Sequence, residues 1–158
     1  MEPLTVIPGF AVFPQEHTCY GADRSPAITI FGARAPYLAI IMEDIDAPGG
    51  IFTHWTLWNV PGAEKIPGGL PAEGTLTEPA GAVQGTNDFG TIGYRGPCPV
   101  RGESHRFLFR VYGLAERLEL AAGADRVDLG RAMGDAILEY GEAMAAYGRA
   151  AEVGPSRC

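Results

Sequence analysis

Apolar and polar positions follow a strand-like pattern through the first two thirds of the chain and change period only near its end. Ala27 to Phe31 is a short β-prone run closed by Gly32. Tyr37 to Met42 is apolar on both faces. Its length and flanking turns predict a buried central strand. Pro48-Gly49-Gly50 turns the chain, and His54 to Val60 reads as the next strand. Strict alternation there sets Trp55, Leu57 and Asn59 on one face and His54, Thr56, Trp58 and Val60 on the other. His105 to Leu114 alternates again, with Phe107, Phe109 and Val111 pointing one way and Arg106, Leu108, Arg110 and Tyr112 the other. Residues 61–75 hold three prolines and four glycines and read as a surface loop over one side of the sheet. Thr75 to Gln84 carries a weak strand signal, and Gly85 to Glu103 reads as loop. Residues 1–26 are broken by Pro8, Pro14 and Gly21 into irregular edge structure with room for one short strand.

The last third has a different period. Leu129, Ala132, Met133, Ala136, Ile137, Tyr140, Met144 and Tyr147 recur at threes and fours. Asp125 is placed to cap a helix, Asp128 adds charge to its first turn, and Gly148 is a natural stop. The spacing predicts a helix over residues 126–147 with its apolar stripe on the sheet. The fold class is therefore mainly β (α+β), an antiparallel-dominated sheet with a C-terminal helix, and not an alternating parallel α/β fold.

Composition narrows the function. The chain has 158 residues, enough for one domain with an ample core over residues 1–158. Its net charge of −7 argues against a nucleic-acid partner. No apolar run reaches the ~18 residues of a membrane span. The N-terminus lacks the basic start and apolar core of a signal peptide, so the cytoplasm is the expected compartment. Cys19, Cys98 and Cys158 are odd in number and widely spaced, which argues against a disulfide framework. Cys98 alone reads as an inert small residue.

Two stretches carry the groups that a site needs. Asp44 and Asp46 follow the central strand, and His54 opens the next one. The Gly-rich run Tyr94-Arg95-Gly96-Pro97 precedes His105, which opens the later strand. Neighbouring strands would bring both imidazoles to one end of the sheet. A carboxylate accepting from a histidine fixes its tautomer and raises its pKa. Backbone N–H groups of the Gly-rich run add donors. The sum is a site for a small anion, phosphate in particular, with a carboxylate left over for an ammonium group. Each part has a plainer reading: a lone histidine at a strand start is more often structural, Asp46-Ala47-Pro48 is a turn, and Trp55 and Trp58 fit core and rim better than a base-stacking platform. Catalytic devices do not assemble. There is no Gly-x-Ser-x-Gly elbow, Ser104 faces away from His105, and no His-Glu-x-x-His occurs. Asp44, His54 and His105 make only a weak metal-ligand signal, so no cofactor is expected.

Asp44-Ile45-Asp46-Ala47-Pro48 followed by His54-Trp55, and Gly96-Pro97-Cys98-Pro99 followed by His105-Arg106-Phe107, resemble the two signature regions of the phosphatidylethanolamine-binding protein (PEBP) family. The likeness is greatest to its prokaryotic, Raf-kinase-inhibitor-like branch, and continues through Tyr20-Gly21, Ser25-Pro26, Asn87 to Gly90 and Tyr147-Gly148. The resemblance implies a PEBP-like fold, with a large antiparallel-dominated central sheet, a smaller second sheet and helical C-terminal structure. It also implies a pocket for phosphate-like anions and phosphorylethanolamine head groups, lined by Asp44, Ala47, His54, Gly96, Pro97 and His105. Asp46 would support the loop, and Phe107 would stand where the family often has Tyr. Val100 replaces a frequent Pro, and Arg95 replaces a frequent small residue. Arg95 reaches either the pocket or solvent. Some relatives are homodimers, and some regulate kinases or inhibit proteases. The leading expectation is a non-enzymatic binding module. The alternatives are a protein-interaction inhibitor with a vestigial pocket and a cryptic hydrolase.

Overall fold

A computed structural model describes residues 1–149; residues 150–158, Cys158 among them, lie outside the described residues. The protein is mainly β and carries two sheets. The strands are β1 (Glu2–Pro3), β2 (Thr5–Ile7), β3 (Ile28–Phe31), β4 (Tyr37–Asp44), β5 (Phe52–Pro61), β6 (Lys65–Ile66), β7 (Val83–Gln84), β8 (Ser104–Leu114) and β9 (Ile137–Gly148), with helix α1 (Arg126–Met133) before the last of them. Six strands form the large sheet in the order β1-β9-β8-β4-β5-β7, antiparallel except where β1 runs parallel to β9. The small antiparallel sheet has the order β2-β3-β6.

Strand β4 sits inside the large sheet because its side chains are apolar on both faces. Leu38, Ile40 and Met42 join Trp55, Leu57, Phe107, Phe109 and the small-sheet residues Val6, Ile28 and Ile30 in one core. Ala39 and Ile41 join Trp58, Leu114, Leu129 and Met133 in a second core under α1. Each large side chain so buried is worth roughly 1.5–3 kcal/mol of transfer free energy. Residues 61–75, expected to be loop throughout, contribute β6 to the small sheet. The weak strand signal of Thr75 to Gln84 contracts to β7 and an isolated bridge from Thr75 to Val83. Among the described residues no helix is long and apolar enough to cross a membrane.

The expected helix over 126–147 is half right. Asp125 caps α1 by accepting from the Asp128 N–H, but Gly134, at φ 36°, ends it, and a short 3₁₀ turn leads into β9. The register from β8 to β9 runs from Ser104↔Gly148 to Leu114↔Ile137. Leu, Glu, Ala and Met are strong helix formers, so local propensity favours the wrong state there. Tertiary pairing overrides it. The inward residues of β9 include Glu139, Gly141 and Ala145, whereas Leu138 and Met144 stay exposed, and this inversion hides the strand period. A Cβ at Gly141 would lie 2.3 Å from the Leu4 carbonyl oxygen, so the N-terminal segment crosses a strand that must be bare here.

Strand β5 departs from strict alternation at two register shifts against β4, one between Met42 and Glu43 and one between Leu38 and Ile40. The first is the important one. Met42 pairs with Trp55 but Glu43 pairs with Thr53, so His54 is the extra residue of a bulge. His54 is thereby re-aimed to the Trp55 side of the sheet, where its ring meets Phe107 edge to face at 5.2 Å. The second shift accompanies Asn59 at φ 56° and moves Val60 into the Trp55 core.

Candidate functional site

Three strand ends converge on one cavity. Asp44 is the last residue of β4 and shares the parity of Met42; it pairs in register with Phe107 of β8 and Phe52 of β5. His105 lies two residues before Phe107 and so shares its face. The bulge supplies His54. These three polar residues line a cavity of about 150 Å³ together with Ala47, Pro48, Phe52, Phe89, Cys98 and Pro99.

His105 is held at both nitrogens. Its Nδ1 lies 2.6 Å from Asp44 Oδ2 and its Nε2 lies 2.9 Å from Glu103 Oε1. Carboxylates only accept, so the doubly bonded ring is an imidazolium donating at both positions. Burial on its own would lower the pKa of His105. The hydrogen bonds to Asp44 and Glu103, reinforced by both negative charges, outweigh that and raise it above the usual histidine value. His54 differs. Its Nδ1 donates to the Arg95 carbonyl at 2.6 Å, which leaves Nε2 without a hydrogen-bond partner among the described residues. Burial dominates and lowers its pKa, against the opposing pull of the Arg95 carbonyl and the Asp44 charge. The site therefore pairs a charged histidine with a neutral one whose free nitrogen is a lone-pair acceptor.

The walls are positioned by hydrogen bonds. Asn87 accepts from the Phe89 and Thr91 N–H groups and donates to the Gly93 carbonyl. Asp88 clasps β5 beside the bulge, accepting from the Thr53 N–H at 2.7 Å and donating its own N–H to the Thr53 carbonyl. Phe89 is thus held at 4.8 Å from the Phe52 ring and 5.2 Å from the His54 ring. The opposite wall is Cys98-Pro99. Tyr20 donates its hydroxyl to the Pro99 carbonyl, and the Cys19 N–H donates to the Pro97 carbonyl.

Cys19 and Cys98 form a disulfide, with Cα atoms 5.3 Å apart, which corrects the reading of Cys98 as an inert small residue and the argument against disulfides from the cysteine spacing. A separation of 79 residues leaves no local signal of the pairing. It follows from the docking of residues 17–23 against residues 94–99.

Not every expected residue faces the cavity. Asp44, Ala47, His54 and His105 line it, whereas Asp46, Gly96, Pro97 and Phe107 are not among the lining residues. Asp46 turns outward and accepts from the Arg106 backbone N–H and guanidinium; these bonds lower its carboxyl to about 2. The Asp46 N–H meanwhile donates to Asp44 Oδ1 at 2.9 Å, so the turn orients Asp44. Gly96 donates to Asp23 Oδ1 and packs so closely that a Cβ would lie 1.9 Å from the His17 carbonyl oxygen. Phe107 lies beneath both histidine rings. The Arg95 guanidinium stacks on Phe89 at 4.8 Å and pairs with Asp23, and its side chain is not among the lining groups. Sequence reasoning missed Pro48, Phe52, Phe89, Cys98 and Pro99 as lining residues and Glu103 as a neighbour of the site. Glu103 carried a signal, since it shares the parity of His105.

The sequence matches the family described as phosphatidylethanolamine-binding protein over residues 5–148. It is 46% identical over 139 residues to a UPF0098 protein of Pyrococcus abyssi, covering 86% of this chain and 78% of the relative. It is 37% identical over 142 residues to LppC of Mycobacterium tuberculosis, whose name carries the word lipoprotein, covering 85% of this chain and 67% of that protein. Escherichia coli YbcL, described as a member of the mammalian PEBP family, superposes with a TM-score of 0.80 at 28% identity, over 92% of this chain and 97% of the other. A PEBP homolog of Chlamydia trachomatis, CT736, superposes with a TM-score of 0.80 at 29% identity, over 93% and 97% of the two chains.

Proposed function

We propose a function from one premise: the chain belongs to the phosphatidylethanolamine-binding protein family, as its match over residues 5–148 shows. The protein is a non-enzymatic binding protein whose pocket receives a phosphate-like or phosphorylethanolamine-type head group. One observation carries this reading. A buried histidine with a free Nε2 faces a second, charged histidine across a cavity of about 150 Å³. Aromatic walls exclude water and strengthen any hydrogen bond made there. The lining residues include no Ser, Thr, Tyr or Lys, and Cys98 is tied up in the disulfide, which favours binding over nucleophilic catalysis.

Binding is proton-linked in this account. Neutral His54 offers only a lone pair at Nε2, so a phosphate oxygen needs one proton between them, on the imidazole or on the phosphate. Affinity therefore rises as pH falls from 8 toward 5.5, the range in which a phosphate monoester (pKa about 6) gains that proton; His54, lowered by burial, gains its own only below the ordinary histidine range. Isotope-labelled histidine NMR, titrated with inorganic phosphate and with phosphorylethanolamine, tests it. Shifts at His54 Nε2 that saturate at millimolar ligand, with accompanying shifts at His105 that vanish in His54→Ala, support the reading. No perturbation at either histidine ends it.

A second reading, regulation of a kinase or protease partner, is favoured by the mouth. Ile51 and Val100, beside the lining residues Phe52 and Pro99, are 60% and 61% exposed. Inhibition of a target protease or kinase that is lost in Ile51→Ser with Val100→Ser supports it, and unchanged inhibition contradicts it. The cytoplasmic expectation meets a counterweight in the Cys19–Cys98 bond, which fits an oxidising compartment or the cytosol of a hyperthermophile.

A further inference from the structure

Glu103 does work that neither the family resemblance nor the pocket residues call for. Its carboxylate lies on Nε2 of His105, the nitrogen on the side away from Asp44. That nitrogen is where an anion entering the cavity would find a charged donor. Glu103 already occupies it. We propose that Glu103 is an internal competitor for the ligand anion, a tethered carboxylate that must leave His105 before a phosphate-type group can bind there. The inference rests on the reading of the pocket as an anion site.

The tether is well defined. The Glu103 N–H donates to the Val100 carbonyl, and the Glu103 carbonyl accepts from the Arg149 N–H. Gly102, at φ 86°, donates to the Arg149 carbonyl and turns the chain just before. The backbone is therefore pinned on both sides while the side chain is 43% exposed and free to swing outward. Asp44 is unlike it. Asp44 is buried, and its other oxygen is engaged by the Asp46 N–H, so it stays on His105 whatever binds.

Charge gives the competition a direction. The titratable groups around His105 include Asp44 from β4, Glu103 from the preceding turn, the neutral His54 from β5 and, opposite it in register, Tyr147 from β9; Asp46 nearby is neutralised by Arg106. One imidazolium stands against two carboxylates here, while the Arg95 guanidinium is held on Phe89 and Asp23 and that of Arg149 on the Tyr20 ring. A dianion must displace Glu103 and then remain beside its charge. A zwitterion can offer its ammonium to the displaced carboxylate. Glu103 thus sets both affinity and the preference for zwitterionic over simple anionic ligands.

The test compares wild type with Glu103→Gln and Glu103→Ala, titrated with inorganic phosphate and with phosphorylethanolamine at pH 6 by calorimetry. Labelled-histidine NMR runs in parallel. The expected result is a gain of about tenfold in phosphate affinity in both variants, the scale of one charge-assisted contact. The gain for phosphorylethanolamine is smaller, so the wild-type preference for the zwitterion shrinks. The His105 titration midpoint falls in both variants, a readout that loss of a merely structural contact to the turn would not produce. Phosphate affinity within twofold of wild type overturns the role of Glu103 while leaving the anion site standing. No binding to wild type or either variant overturns the anion site, and this proposal with it.

Discussion

Replacing Asp44 by Asn removes one charge and reverses one hydrogen-bond polarity at the centre of the site. Asp44 is 5% exposed and accepts from His105 Nδ1 at 2.6 Å. Asn retains an oxygen for the Asp46 N–H but presents an NH₂ to the imidazolium unless it flips, and flipping sets that NH₂ against the Asp46 N–H. One of the two bonds is lost in either orientation. A hydrogen bond to a charged group contributes about 1.5–3 kcal/mol. For a domain of this size each kcal/mol moves Tm by roughly 2–4 °C, so the loss at pH 5.5 should be of order 5–10 °C. The sign of the pH dependence is fixed by the raised pKa of His105. A raised histidine contributes stability that is fully present below its unfolded value near 6.5 and is lost as pH rises through the folded value. Above that, neutral His105 still donates to the Asp44 carboxylate, but the attraction between imidazolium and carboxylate is gone. The destabilisation by Asp44→Asn should therefore be greatest at pH 5.5 and shrink at pH 9. Calorimetric scans of both proteins at the two pH values measure it. A loss equal at both, or larger at pH 9, would refute the charged His105.

Three further outcomes are expected. Carboxyl NMR should place the Asp46 midpoint near 2, and Arg106→Ala should return it toward the ordinary aspartate value of 3.8; a wild-type midpoint already at 3.8 contradicts the pair. Gly141→Val should cost about 1–3 kcal/mol in urea unfolding, because the new side chain forces the strand off the Leu4 backbone; neutral behaviour would mean that the N-terminal segment does not cross β9. Cys19→Ser with Cys98→Ser opens a loop spanning a 79-residue separation, so denaturant unfolding should show a loss of about 4.5 kcal/mol by the chain-entropy relation; a loss under 1 kcal/mol would show that residues 17–23 hold the pocket loop without it.

The sequence revealed most where local pattern and tertiary demand agree. The all-apolar run at Tyr37 to Met42 announced a central strand, and the alternation from His105 to Leu114 announced its neighbour. Strand β9 failed because its inward residues are Glu, Gly and Ala while its exposed ones include Leu and Met, so helix propensity and pairing disagree. His54 shows the opposite case. Its membership of the site was legible from motif resemblance, but its face was not, because a bulge is set by the register with β4 and not by alternation. The disulfide was illegible, and Glu103 showed nothing beyond its shared parity with His105. The first is a contact between distant segments. The second is an exposed acid distinguished only by its contact with His105 Nε2.

The most direct test is a crystal structure grown in phosphate at pH 6. The account predicts a tetrahedral anion in the cavity, with an oxygen within hydrogen-bond distance of His54 Nε2 and with Glu103 swung away from His105. A cavity without the anion, with Glu103 still on His105 at saturating phosphate, would contradict it.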